Sequence, residues 1–186
     1  MGKIVVTEFV SLDGVFEDPG GAEGSEHGGW SFTFNRGEDG DAFKLDEVKA
    51  ADAQLLGRVT YEGFAKAWPN YTDEVGFAEK MNTMPKYVVS STLAEPSWTN
   101  SMVITMADVA GLKDRYAGDI LVAGSGQLVR GLTDAGLVDE YRLMVFPIVL
   151  GSGRRLFDGT KLTRLNLADS KPVGPDGVTV NTYTRG

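Results

Sequence analysis

The run Asp119-Ile120-Leu121-Val122-Ala123, followed at once by Gly124-Ser125-Gly126 and then by a helical pattern reaching Ala135, constrains this chain more than any other segment. A short apolar run bounded by glycines reads as a strand buried on both faces, and such strands belong to parallel sheets covered by helices. A strand that ends in glycines and feeds a helix N-terminus turns backbone N–H groups outward with a partial positive charge, a ready cradle for phosphate. The same tripeptide also makes a plain tight turn, so its meaning depends on the rest of the chain.

The rest of the chain alternates strands with helices. Strands are expected at Lys3 to Val10, Ala53 to Leu56, Tyr87 to Ser90 and Met102 to Thr105, and helices at Phe43 to Ala51, Val59 to Ala67 and Ala107 to Tyr116, the second halted by Trp68-Pro69. This wound order implies an α/β architecture with parallel pairings. Beyond Leu137 the texture changes: Tyr141 to Leu150, Leu162 to Ala168 and Val178 to Thr184 are strand-like without helices between them, and Gly174-Pro175-Asp176-Gly177 is a turn. These segments are expected to add antiparallel strands to one edge of the same sheet. Asp18 to Gly29, with five glycines, is expected to be a mobile loop.

Composition narrows the function. A chain of 186 residues with 42% hydrophobic content suits one globular domain. Lys and Arg number 18 against 26 Asp and Glu, a formal charge of -8, with no basic cluster, which argues against nucleic-acid binding. With no cysteine there are no disulfides, thiolate metal sites or cysteine nucleophiles, and a lone His27 cannot build a histidine metal site, so no metal is expected. No signal-like or membrane-spanning run is present, and a cytoplasmic protein without a membrane partner is the expectation.

Two further motifs strengthen the phosphate reading. In Leu55-Leu56-Gly57-Arg58-Val59-Thr60-Tyr61 a glycine after a buried strand lets the chain pass close to a ligand, Thr60 sits at a helix start, and Arg58 offers a planar fork for a second phosphate such as the 2′-phosphate of NADP; a plain surface arginine fits the same place. Ser90-Ser91-Thr92 places three hydroxyls at the end of a strand, where ligands bind in open α/β sheets and where hydroxyls also form ordinary turns.

With Ser11-Leu12-Asp13-Gly14 and the segment Pro147-Ile148-Val149-Leu150-Gly151-Ser152-Gly153-Arg154-Arg155-Leu156-Phe157, these motifs stand in an order that resembles the dihydrofolate reductase superfamily, and more closely its branch related to the reductase domain of riboflavin biosynthesis. The resemblance implies a dihydrofolate-reductase-like three-layer α/β fold: a central mixed, mostly parallel sheet flanked by helices, with antiparallel C-terminal strands. It implies NADPH as hydride donor, a small planar heterocycle (pterin- or pyrimidine-like) or conjugated carbonyl as substrate, and a homodimer. Carried over residue by residue, Gly57, Arg58 and Thr60 would hold cofactor phosphates, with Ser90 and Ser91 near the adenosine 2′-phosphate. Gly124, Ser125, Gly126, Gln127 and Leu128 would cradle the pyrophosphate, while Asp13 and Gly14 would approach the nicotinamide end.

Folate-reducing members keep a carboxylate at the start of the helix before the glycine-arginine motif. Asp41, sixteen residues before Gly57, is the candidate here, with Asp39 and Asp46 as competitors; acids at a helix start are also favoured on dipole grounds alone. Asp41 and Asp13 are therefore the expected catalytic pair, and Trp30, Tyr61, Phe146 and Arg154 the expected substrate contacts. Trp30, with Phe32 and Phe34, would stack on a flat heterocycle or pack the core. Arg154 would bind an anionic tail or face solvent. Two rivals stay open: a nucleotide- or pterin-binding protein without turnover on the same fold, and a hydrolase built on His27 and a serine, for which Gly124-Ser125-Gly126 lacks the flanks of a nucleophile elbow.

Overall fold

The computed structural model describes residues 1–186 and contains one eight-stranded sheet in the order β4-β3-β2-β5-β1-β6-β8-β7. Its strands are β1 (Lys3–Ser11), β2 (Ala51–Gly57), β3 (Lys86–Val89), β4 (Ser101–Ile104), β5 (Asp119–Ala123), β6 (Glu140–Phe146), β7 (Leu165–Val173) and β8 (Val178–Arg185). The helices are α1 (Gly37–Ala50), α2 (Arg58–Ala67), α3 (Phe77–Thr83), α4 (Val109–Arg115) and α5 (Gly126–Asp134). All pairings from β4 through β6 are parallel; β8 pairs antiparallel with β6 and β7 antiparallel with β8.

This is the mixed, mostly parallel α/β sheet expected, with one correction. β6 runs parallel to β1, because α5 carries the chain back across the sheet before β6 begins, and a strand reached through a crossover helix enters in the same direction. β6 also stops at Phe146 rather than Leu150: Pro147 has no N–H to continue the ladder.

Side chains of β1 alternate between two cores. Ile4, Val6 and Val10 pack with Phe16, Val122, Val129 and Leu132 on the α4–α5 side, whereas Val5 packs with Val48, Leu56, Tyr61, Leu121 and Trp98 on the α1–α3 side. A third cluster, Trp30, Met144, Phe146, Val173, Val178 and Val180, with Phe9, Phe34 and Phe43 against it, fills the space between β6, β8 and α1.

Local chemistry fixes the elements that patterning missed. α3 starts where the Asp73 carboxylate accepts the N–H groups of Val75, Phe77 and Ala78, a cap set several residues upstream. α1 begins at Gly37, six residues earlier than expected, since its first turn docks on the β7–β8 turn: Asp39 accepts the Gly174 N–H and Asp176 accepts the Asn35 N–H. β7 lies at the sheet edge, exposed along most of its length and carrying Lys171 and Pro172, residues that discourage further pairing. The Asp18–Gly29 loop is stapled rather than free. Buried Asp18 accepts the N–H groups of Glu23 and Ser25, and its carbonyl accepts those of Gly21 and Gly29.

Candidate active site

The motifs converge on one edge of the sheet, where parallel strands β1, β2, β3 and β5 end. A crevice opens there for a simple reason. The β1–β5 ladder stops at Thr7 opposite Ala123, but β1 continues beside β6 to Ser11, so Glu8 to Ser11 have no neighbour on the β5 side, where Gly124 turns away into α5. Crevices of this kind are where α/β sheets bind ligands.

The turns bordering the crevice are tied to each other. Ser125 Oγ accepts the Gly57 N–H at 2.9 Å, and the Ser125 N–H donates to Thr60 Oγ1 at 2.8 Å. Gly124 has φ +63, and a Cβ there would lie 3.0 Å from the Thr60 methyl, so glycine is required on both counts. Because the first intrahelical bond of α5 runs from Val129 N to Ser125 O, the N–H groups of Gly126, Gln127 and Leu128 have no partner within the helix. The donor array thus comprises residues 126–128, while Ser125 and Thr60 spend the bond between them on holding the turn. Phe16 lies flat against this array: a Cβ on Gly126 would come within 2.1 Å of its ring.

Other expected cofactor residues border the same edge. Arg58 opens α2, half-exposed, its guanidinium bonded to Glu62 one turn on at 3.0 Å. Ser90 Oγ accepts the N–H groups of Thr92 and Leu93 and so serves the turn, whereas Ser91 is exposed. Gly14, at φ +80, closes the turn after β1, its carbonyl accepting the Leu156 N–H.

The anticipated acids are otherwise employed. Asp13 Oδ1 accepts the Ser11 hydroxyl at 2.7 Å and the Leu150 N–H at 3.1 Å, and Oδ2 accepts the Gly151 N–H at 2.9 Å. The Ser11 hydroxyl, with those backbone donors, holds the Asp13 carboxyl down at about 2, which makes it a staple between the β1 turn and residues 150–151 and not a proton donor. Asp41 stands on the second turn of α1, its side chain 66% exposed, bonded to Arg36 at 2.6 Å. Asp46 is exposed, and Asp39 is taken by Gly174.

The expected substrate contacts have protein partners of their own. Trp30 is buried, donates Nε1–H to the Glu17 carbonyl and meets Phe146 edge-on at 5.3 Å; Phe146 is fully buried in that cluster. The Tyr61 hydroxyl is buried and accepts the Trp98 N–H. Arg154 has its fork filled by Glu17 and Glu23, each at 2.6 Å, and lies over Phe16. Large apolar side chains near a crevice are drawn into the core first, and in an acidic chain a surface arginine finds a carboxylate.

The site contains ionisable groups that motif reading did not reach. Thr7 donates to Glu47 Oε1 at 2.8 Å and accepts from Lys44 Nζ at 2.7 Å, and Lys44 pairs with Glu47. Glu47 is 4% exposed, and its Oε2 has no partner. Lys44 and Arg36 both sit 5.1 Å from the Phe9 ring centre. On the opposite face of β1, Glu8 is 6% exposed with Oε1 unpartnered. Burial pushes its carboxyl well above the ordinary glutamate range, against the opposing pull of the Gly124 N–H and of Lys44. The signal was in the sequence: Thr7-Glu8 interrupts an apolar strand, and a charged residue in a strand buried on both faces must be paired or neutral.

His27 Nε2 lies 3.1 Å from Ser152 Oγ, on the latch between the Asp18–Gly29 loop and the Gly151–Arg155 segment. The Glu26 carboxylate contacts that same serine and the same ring nitrogen, so it does not orient the imidazole from its far side as a catalytic triad requires. No group of three His, Cys, Asp or Glu side chains is placed to hold a metal ion, and no helix is long and apolar enough to cross a membrane.

Known proteins share this fold. The Bacillus subtilis protein YyaP, described as uncharacterized, is 29% identical over 89% of this chain and 85% of its own. A Shewanella sp. PV-4 structure named for riboflavin biosynthesis superposes with a TM-score of 0.77 at 22% identity, covering 99% of both chains. Enterococcus faecalis dihydrofolate reductase, solved with NADP(H) and RAB-propyl, gives 0.63 at 15% identity over 99% of this chain and 96% of that one. Residues 2–179 match the RibD C-terminal domain, and the chain belongs to that family.

Proposed function

We propose that the protein is an NADPH-dependent reductase of a small planar heterocycle, pterin- or pyrimidine-like, or of a conjugated carbonyl. The observation that carries this reading is the interlock of Gly57, Thr60 and Ser125, which sets the first turn of α5 at the strand ends with the N–H groups of Gly126, Gln127 and Leu128 unbonded within the helix and buried Glu8 nearby on β1. The residues fit the cofactor: those three N–H groups suit a pyrophosphate, and Arg58, once Glu62 yields it, suits a 2′-phosphate, with Ser91 beside it at the same edge. NADPH, when bound, supplies the hydride. The chain's own part is to hold the acceptor in a water-poor crevice and to supply a proton. For the proton, the Lys44–Thr7–Glu47 chain on the α1 face of β1 takes the part expected of Asp41: Lys44 Nζ is the hydrogen-bonded acid, and Glu47 orients it. The same reading puts the protein in the cytoplasm as a homodimer.

A calorimetric titration tests the cofactor. NADPH should bind in preference to NADH, and Arg58→Ala should weaken NADPH by roughly 1.5–3 kcal/mol, as for a charge-assisted bond. Absence of binding by either nucleotide would sink the reading. The engagement of Asp13 and Asp41 in other bonds favours one alternative, a protein that binds the nucleotide without turnover; NADPH consumption in a screen of pterins, pyrimidines and quinones separates the two.

A further inference from the structure

We propose that Glu8 is the side chain that recognises the nicotinamide carboxamide, through a hydrogen bond at its unpartnered Oε1. The inference rests on the NADPH reading above and deepens it at the end of the crevice that the phosphates do not reach. Three observations place Glu8 there.

The first is position. Glu8 is the first residue of β1 beyond the end of the β5 ladder, so it stands at the base of the crevice where Gly124 turns away. The second is direction. Val6 and Val10, two residues to either side, pack with Phe16, Leu128 and Val129, so Glu8 shares their face and points to the α5 side, with the Gly124 N–H facing its carboxyl. The third is an unmet need. A buried carboxyl oxygen without a partner is costly and uncommon.

The groups that act on the carboxyl are Lys44 and Glu47 from α1, Glu23 from the loop and the Gly124 N–H. Desolvation outweighs them and raises the carboxyl well above the ordinary glutamate range, so its free oxygen calls for a hydrogen-bonding partner brought by a ligand. A carboxamide is the partner of matching size at the nicotinamide end, whereas a phosphate is served by residues 126–128. Glu8 therefore touches the ring that reacts, and the Lys44 chain on the other face of the strand remains the proton source for the acceptor.

The test is a binding measurement with two probes. NADPH carries the carboxamide; adenosine 2′,5′-bisphosphate carries the adenosine and the 2′-phosphate but no nicotinamide. Glu8→Leu should raise the NADPH dissociation constant by about tenfold, the effect of one hydrogen bond to a desolvated partner, and leave the bisphosphate unchanged. Glu8→Gln, which can still donate one bond and accept another, should bind NADPH within about threefold of wild type. Equal weakening of both probes, or unchanged NADPH binding in Glu8→Leu, would overturn the assignment while the cofactor reading stands. If wild-type protein binds neither probe, the cofactor reading fails and takes this assignment with it. A Glu8→Leu protein that does not fold shifts the decision to Glu8→Gln with an NADPH analogue in which a nitrile replaces the carboxamide: a loss in wild type that the Gln variant shares supports the assignment, and no loss in wild type overturns it.

Discussion

β1 separates two regions of unlike chemistry. On its α5 side the crevice is built from main-chain N–H groups, close-packed glycines and two hydroxyls that each accept a backbone N–H, with Glu8 at its base. On its α1 side Thr7, Lys44 and Glu47 form a chain of side-chain hydrogen bonds, with Arg36 and Lys44 against the Phe9 ring. Backbone donors can hold a fixed negative charge but have no proton to give. Coupled ionisable side chains can move a proton but tolerate little disturbance, because each is buried at the expense of its partner. Under the proposed function, anchoring belongs to one face and proton supply to the other.

The largest effect that could break this division is on the α1 side. Glu47→Ala strands the Lys44 ammonium and the Thr7 hydroxyl and should cost roughly 3 kcal/mol in urea unfolding at neutral pH. It should also abolish turnover while leaving NADPH affinity within about twofold of wild type, since the anchoring groups are on the other face. A matching loss of affinity would mean that the two regions are one.

A smaller effect is expected at the turn that frames both regions. Asp13 is held at about 2 in the folded protein, below its ordinary value of 3.8, so the stability it contributes is present above the ordinary value and is lost as pH falls toward 2. Asp13→Asn should lower stability by about 2 kcal/mol at pH 7 and flatten the acid limb of a melting-temperature profile between pH 5 and pH 2. A wild-type profile that is flat over that range would contradict the staple. Turnover should track the stability loss and no more, because the carboxylate is bonded to Ser11, Leu150 and Gly151 and does not reach a substrate.

The smallest effect is expected at Asp41. Its partner Arg36 and its exposure make it a surface ion pair, worth less than about 1 kcal/mol. Asp41→Asn should leave turnover within about threefold of wild type; a loss of a hundredfold would return the proton to the helix start and remove it from Lys44.

What was legible in the sequence follows the same division. Glycine spacing marks places where backbone approaches something closely, so Gly57, Gly124 and Gly126 identified their turns from a single chain. Thr7, Lys44 and Glu47 come together only because α1 lies over β1, and their spacing along the chain follows no local period. Helix α1 was cut short for a related reason. Gly37-Glu38-Asp39-Gly40 reads as loop, and its helical state depends on docking against the β7–β8 turn, more than a hundred residues away. Tyr61, Trp30 and Phe146 lie buried because an aromatic residue beside a motif is more strongly attracted to a core than to a crevice. β7 was misplaced because an edge strand exposed on both faces carries no alternation to read.

In the proposed function a dinucleotide anchors on the first turn of α5. An amide-resolved NMR titration with NADPH tests it directly: the resonances of Gly126, Gln127 and Leu128 should shift most and saturate together, with Thr60 and Ser125 responding less because their bond is already made. Shifts confined to the Lys161–Arg164 region or spread evenly over the surface, with residues 126–128 unmoved, would contradict the account.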